Sequence, residues 1–195
     1  MQIILGSGSA RRREILGFFA VPFIQIASSF EETSVIFTGN PVSYVEELSK
    51  KKGESLSSFY PDNPILTADT VVFCEGSVYN KPRDQQEAAH FLQNLSGKWH
   101  SVFTSLSLFY QERFHTRCEE TKILFHDLSL EQIDQYLQHI NFSDKAGGYA
   151  IQQGGGLIVK KIEGCYYNVM GLPLGGLREL LLQIHIDLWQ NIKPL

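Results

Sequence analysis

The stretch PILTADTVVF, residues 64–73, constrains the fold most strongly. It is apolar on both sides of a polar centre and reads as a buried strand, and a sheet built around it needs helices packed on it. The chain supplies them. Residues 41–56 (PVSYVEELSKKKGESL) start an apolar stripe at Val45 and Leu48, with Ser43 and Glu46 in capping-box register. Residues 83–97 carry Ala88, Phe91, Leu92 and Leu95 on one face behind an Asp84/Glu87 cap, and Gly97 is their stop. Residues 128–140 repeat the pattern with Ser129 and Gln132 as cap, and residues 171–189 read as a turn and an apolar helix. Shorter strands are expected at 2–5 (QIIL) and 22–30 (PFIQIASSF), the first leading through GSGSA into a helix over residues 9–19. SVFTSLSLFY (101–110) and HTRCEETKILF (115–125), joined by QER, predict a hairpin, and YAIQQ and LIVKKIEG flank a turn at Gly154, Gly155 and Gly156. Strands and helices follow no strict βαβ order, and neither repeat nor low-complexity linker divides them. The expectation is one α/β domain over residues 1–195, a mixed twisted central sheet with flanking helices and a cleft at the strand ends.

Three places in this framework can carry chemistry. GSGSARRR turns from strand to helix and presents unpaired backbone N–H groups, a ready anion site. It is neither a Walker A loop, since no GK[ST] follows, nor GxGxxG, since Arg11 stands where the third glycine belongs. Cations in a helix's first turn oppose the macrodipole, at roughly 0.3–1 kcal/mol each when exposed. An anion at that end reverses the penalty, and arginine offers a planar fork for phosphate; a solvated basic turn is the plainer alternative. Asp69 interrupts the buried run at 64–73. It reads either as a structural carboxylate held by backbone donors or as a metal ligand or general base at a cleft. Glu31 and Glu32 offer a second carboxylate, or simply an acidic loop. Lys52 ends a helix, where a cation suits the dipole, and Lys81 is held extended by the following Pro82. Gly147-Gly148 and Gly154 to Gly156 read either as plain turns or, together with Lys145 and Gln152, as places where the backbone comes close to a ligand.

A net charge of −4 excludes a chain built to coat nucleic acid or an acidic membrane, so an anionic ligand has to be held by a local cation cluster. Three cysteines without a CxxC pair fit a reducing compartment, and six scattered histidines do not make a zinc site. No apolar run reaches the roughly 18 residues of a membrane helix, and the arginines follow MQIIL rather than precede it. A cytoplasmic protein is expected. Cations to neutralise phosphates, with carboxylates to hold a divalent ion, are the elements of metal-assisted phosphoanhydride hydrolysis.

LGSGSARRREIL, ADTVV, NKP, LSGKWHSVFT, DKAGGYAIQ and YYNVMGLPL, in this order over about residues 3–182, resemble the Maf family of nucleotide pyrophosphatases. The resemblance implies an elongated, two-lobed α/β architecture with a deep cleft, similar to the inosine triphosphate pyrophosphatases. It implies hydrolysis of a nucleoside triphosphate to the monophosphate and pyrophosphate with Mg²⁺ or Mn²⁺, a homodimeric assembly, and a link to cell-division arrest and removal of non-standard nucleotides. Carried over to this chain, Ser7, Arg11 and Arg12 bind the triphosphate, Glu32 and Asp69 hold the metal, and Lys52 and Lys81 serve the cleft. Asp69 accepts the proton of the attacking water. Thr70 and Gln152 match the dTTP/UTP subgroup rather than the 7-methyl-GTP one, where Gln and Glu stand at those places. Ala10 replaces the family's usual proline and Asn80 its usual glycine. The readings left beside this one are a pyrophosphatase for modified nucleotides such as 7-methyl-GTP and a non-catalytic nucleotide-binding regulator of septum formation.

Overall fold

The computed structural model describes residues 1–152 and 154–194; Gln153, the last residue of YAIQQ, lies outside them. In chain order the elements are β1 (Ile3–Gly6), α1 (Ala10–Leu16), β2 (Phe23–Gln25), α2 (Pro41–Ser57), β3 (Ile65–Cys74), β4 (Ser77–Tyr79), α3 (Gln85–Leu95), β5 (Trp99–Tyr110), β6 (Arg113–Phe125), α4 (Leu130–Gln138), α5 (Gly155–Ile158), β7 (Val159–Glu163), α6 (Tyr166–Val169) and α7 (Leu174–Leu182). The strands form a seven-stranded sheet in the order β2-β1-β3-β5-β6-β7, with β4 on β3. β1 pairs in parallel with β2 and β3, whereas β3 to β7 pair antiparallel, so the sheet is mixed as expected.

β3 earns its central place by composition, and its period of two decides which face each residue serves. Leu66 and Ala68 pack with α1 and α7 around Ile15, Leu16, Leu177 and Leu181. Ile65, Thr67, Asp69 and Val71 point the other way, toward α2: Thr67 Oγ1 donates to the Ser49 carbonyl at 2.6 Å, and Val71 packs with Val45 and Leu48. Further along, Val72 and Cys74 join α3 and α4 in a second cluster with Ile123 and Phe125. β1 pairs with β3 only as far as Thr67, and β4 begins pairing at Val72. Residues 68–71 of β3 thus have no ladder partner on that edge, and there a cleft opens.

Helix α2 is capped by Asn40, whose side chain accepts from the backbone N–H groups of Val42 and Ser43, with Pro41 in the first turn; Ser43 is already inside the helix. That helix continues past Lys52 to Ser57, and at Gly53 it lies close against the ring of Phe114: an added Cβ would meet that ring at 3.1 Å. α1 is shorter than residues 9–19, β2 is confined to three residues, and Gly155 and Gly156 of the expected turn begin the short helix α5. The β5–β6 hairpin turns on two residues, Gln111 and Glu112, both at positive φ, as a tight right-twisted hairpin needs. Among the described residues no helix is long and apolar enough to cross a membrane.

Candidate active site

The cleft encloses a cavity of about 360 Å³ bounded by the loop after β1, the open edge of β3 and the segment 143–152. The loop is rigidly held. Gly6 has no room for a side chain, since a Cβ would lie 2.6 Å from Thr67 and 2.7 Å from Leu56. Ser9 caps α1, Ser7 Oγ accepts from the Ser9 N–H at 3.2 Å, and the Gln25 amide donates to both the Ser7 and Ser9 carbonyls.

The three arginines go to three different places. Arg13 is exposed. Arg12 turns inward: Nε donates to the Gly171 carbonyl at 2.8 Å, Nη1 to Ser7 Oγ at 3.0 Å and to the Ala68 carbonyl at 2.8 Å, and Nη2 to Thr70 Oγ1 at 3.0 Å. Its guanidinium therefore fills the unpaired edge of β3, where the Ala68 carbonyl has no strand neighbour. Burial lowers the Arg12 pKa and the nearby Asp69 opposes that shift; a guanidinium stays charged either way. Arg11 reaches across the cleft, donating from Nη1 to Asp144 Oδ2 at 2.8 Å and from Nη2 to the Asp144 carbonyl at 3.1 Å.

On the α2 face of β3, charges alternate in a row. Asp69, only 4 % exposed, is ion-paired to the Lys52 ammonium, itself 6 % exposed. Lys52 Nζ lies 2.9 Å from Glu32 Oε1, and Lys81 Nζ lies 3.4 Å from the same oxygen. Burial works to raise the Glu32 pKa, but Lys52 and Lys81 outweigh it and hold the carboxyl below its ordinary value. A buried carboxylate without such a partner would be strongly unfavourable. Lys52 comes to Asp69 because it belongs to the buried stripe of α2, with Val45, Leu48, Ser49 and Leu56. Its helical spacing from Leu48 and Leu56 was the signal in the sequence for an inward-facing lysine rather than a solvated one.

Of the residues singled out in the sequence, Ser7, Arg11, Arg12, Glu32, Lys52, Asp69, Thr70, Lys81 and Gln152 all line this cavity. Their commitments differ. Thr70 Oγ1 accepts from Arg12 and shares a hydrogen bond with Thr104 Oγ1, so its hydroxyl is bound into the protein. Gln152 is exposed at the cleft wall. Lys145, 7 % exposed, donates to Asp144 Oδ1 at 2.6 Å and to the Asn141 carbonyl. Asp144 and Gln25 had no assigned place; their partners are 133 and 16 to 18 residues away, beyond any local pattern.

Glu32 and Asp69 both line the cavity, and among the described residues no group of three or more His, Cys, Asp or Glu is placed to hold a metal ion. Two carboxylates still suit Mg²⁺, which takes one or two protein carboxylates and completes its shell with phosphate oxygens and water.

Residues 2–184 match the family model described as "Maf-like protein". A dTTP/UTP pyrophosphatase of Chlamydia felis (strain Fe/C-56) is 47 % identical over 192 residues, covering 98 % of each chain. A nucleoside triphosphate pyrophosphatase of Chlamydia muridarum is 42 % identical over the same length and coverage. Among solved structures, the Staphylococcus aureus Ham1 protein overlaps 80 % of this chain and 90 % of that one, at 11 % identity and a TM-score of 0.48.

Proposed function

The chain belongs to the family of Maf-like proteins, and from that premise we propose that it hydrolyses dTTP and UTP to the nucleoside monophosphate and pyrophosphate. The observation that carries this reading is the row Asp69–Lys52–Glu32–Lys81 beside a loop that brings serine and arginine to the same cavity. The phosphate chain lies along the loop from Gly6 to Arg11 and toward Lys81. These donors stand where negative charge gathers on the leaving pyrophosphate, and the part of the loop over residues 6–9 is already held in place by Gln25 and Thr67. Arg12 shapes this end of the cleft from behind by holding Ser7 and Thr70 in place.

Glu32 and Asp69 would hold a divalent cation, which would supply neutralisation of phosphate charge at the α-phosphorus. Asp69 Oδ1 is paired with Lys52, which keeps the group ionised, and the Asp69 carboxylate accepts the proton of the attacking water. The wall beyond, with Val72, Val102, Ala146 and Val169, receives the base, and the Gln152 amide donates to and accepts from its edge. A uracil or thymine ring presents that complementary pair.

Pyrophosphate release from dTTP, UTP and 7-methyl-GTP, with Mg²⁺ and with Mn²⁺, tests the reading. The wild-type chain should favour the two pyrimidine nucleotides. Asp69→Asn should lower kcat by about 10²–10⁴-fold while nucleotide binding persists. Preference for 7-methyl-GTP, or near-wild-type turnover by Asp69→Asn, overturns it.

A further inference from the structure

Asp144 stands between two cations of the cleft and belongs to neither end of the reaction just described. Its Oδ2 accepts from Arg11 Nη1 at 2.8 Å and its carbonyl accepts from Arg11 Nη2 at 3.1 Å. Its Oδ1 accepts from Lys145 Nζ at 2.6 Å. The bond to Arg11 spans the cleft. Arg11 lies in the first turn of α1, whereas Asp144 lies between α4 and the turn at Ala146–Gly148, just ahead of the stretch that ends in Gln152. The two side chains are 22 % and 46 % exposed, so the pair sits at the mouth of the cavity. Burial acts to raise the Asp144 pKa, but Lys145 and Arg11 outweigh it and keep the group a carboxylate at neutral pH.

A polyphosphate arriving at the loop thus meets an arginine whose fork already holds a carboxylate. A phosphate group brings more charge and more acceptor oxygens, so it can take the fork. The carboxylate stays tethered beside it and is on hand when the phosphate departs. We propose that Asp144 is the exchange partner of Arg11: it yields the guanidinium to the phosphate chain on nucleotide binding and reclaims it as pyrophosphate leaves. The exchange rests on the reading of this cleft as a nucleotide pyrophosphatase site. Asp144 acts through Arg11 and is a positioning residue that loosens the hold on product.

The test is product inhibition. Asp144→Asn keeps the shape and removes the competing charge, so inorganic pyrophosphate should inhibit dTTP turnover at a concentration about three- to tenfold lower than in the wild type, at fixed salt. The KM for dTTP should fall in the same direction. In an Arg11→Met background the same Asn substitution should leave the inhibition constant unchanged. An unchanged or raised constant in Asp144→Asn overturns the proposal, because Asp144 is then a strut that presents Arg11. So does a drop that persists without Arg11, which places the effect on Lys145 or on the general field. Asp144→Ser is read the same way should the Asn variant fold poorly. If the wild-type chain cleaves neither dTTP nor UTP, the functional reading fails instead, and direct titration of the same proteins with inorganic pyrophosphate still decides the exchange.

Discussion

Arg11, Arg12 and Arg13 are adjacent, alike in chemistry and different in every structural respect. Successive helical residues point about 100° apart, so one faces the cleft mouth, one the open edge of β3 and one the solvent. Arg12 is the one the fold depends on, since it donates to two backbone carbonyls and two hydroxyls from separate segments. Arg12→Ala leaves those acceptors without their charged donor and should lower stability by about 2–3 kcal/mol. Arg13→Ala should stay within about 0.5 kcal/mol of the wild type. Urea midpoints of the two variants, measured side by side, check the contrast. The sequence pointed to an anion site at this turn but did not separate a brace from a ligand-facing group. That difference lies in what waits at the end of each side chain, and for Arg12 the partners Ala68 and Gly171 are 56 and 159 residues away.

At the scale of elements, α2 does most to build the candidate site. Its buried stripe carries Lys52 to Asp69, and its Ser49 Oγ bonds the hydroxyls of Ser105 and Ser107 beneath the same face of the sheet. Asn40 is the cap, accepting from Val42 and Ser43 at 3.0 and 3.1 Å. Asn40→Ala should cost about 1 kcal/mol, whereas Ser43→Ala should be nearly neutral. Thermal denaturation of both variants distinguishes the two starts. The Ser-x-x-Glu spacing at residues 43–46 was a genuine local signal, overridden by Asn40 and Pro41 just upstream. In α4 the same kind of signal held, and Ser129 with Gln132 makes the full reciprocal capping box.

At the scale of the molecule, β3 and β5 thread both large apolar clusters and carry the cleft between them. His100 on β5 supports the cleft wall by bonding the Tyr149 hydroxyl at 3.0 Å, packed against Phe125. Burial pushes its pKa down to about 4. The unfolded chain takes up that proton near pH 6.5 and the folded chain does not. The stability this group contributes is thus complete above pH 6.5 and declines by up to about 1.4 kcal/mol per pH unit as pH falls toward 4. His100→Gln should flatten that part of the profile, read as the difference in urea midpoint between pH 7 and pH 4.5. The sequence alone determined the α/β class, the hairpin and most helices, because hydrophobic period and turn chemistry are local properties of the chain, and it named nine of the residues that line the cavity. Only the tertiary structure decided which arginine turns inward onto β3, that Lys52 neutralises Asp69, and that Asp144 closes on Arg11. Those choices are made by burial and by partners distant in sequence: a charge taken out of water must find its counterpart wherever the fold has brought one.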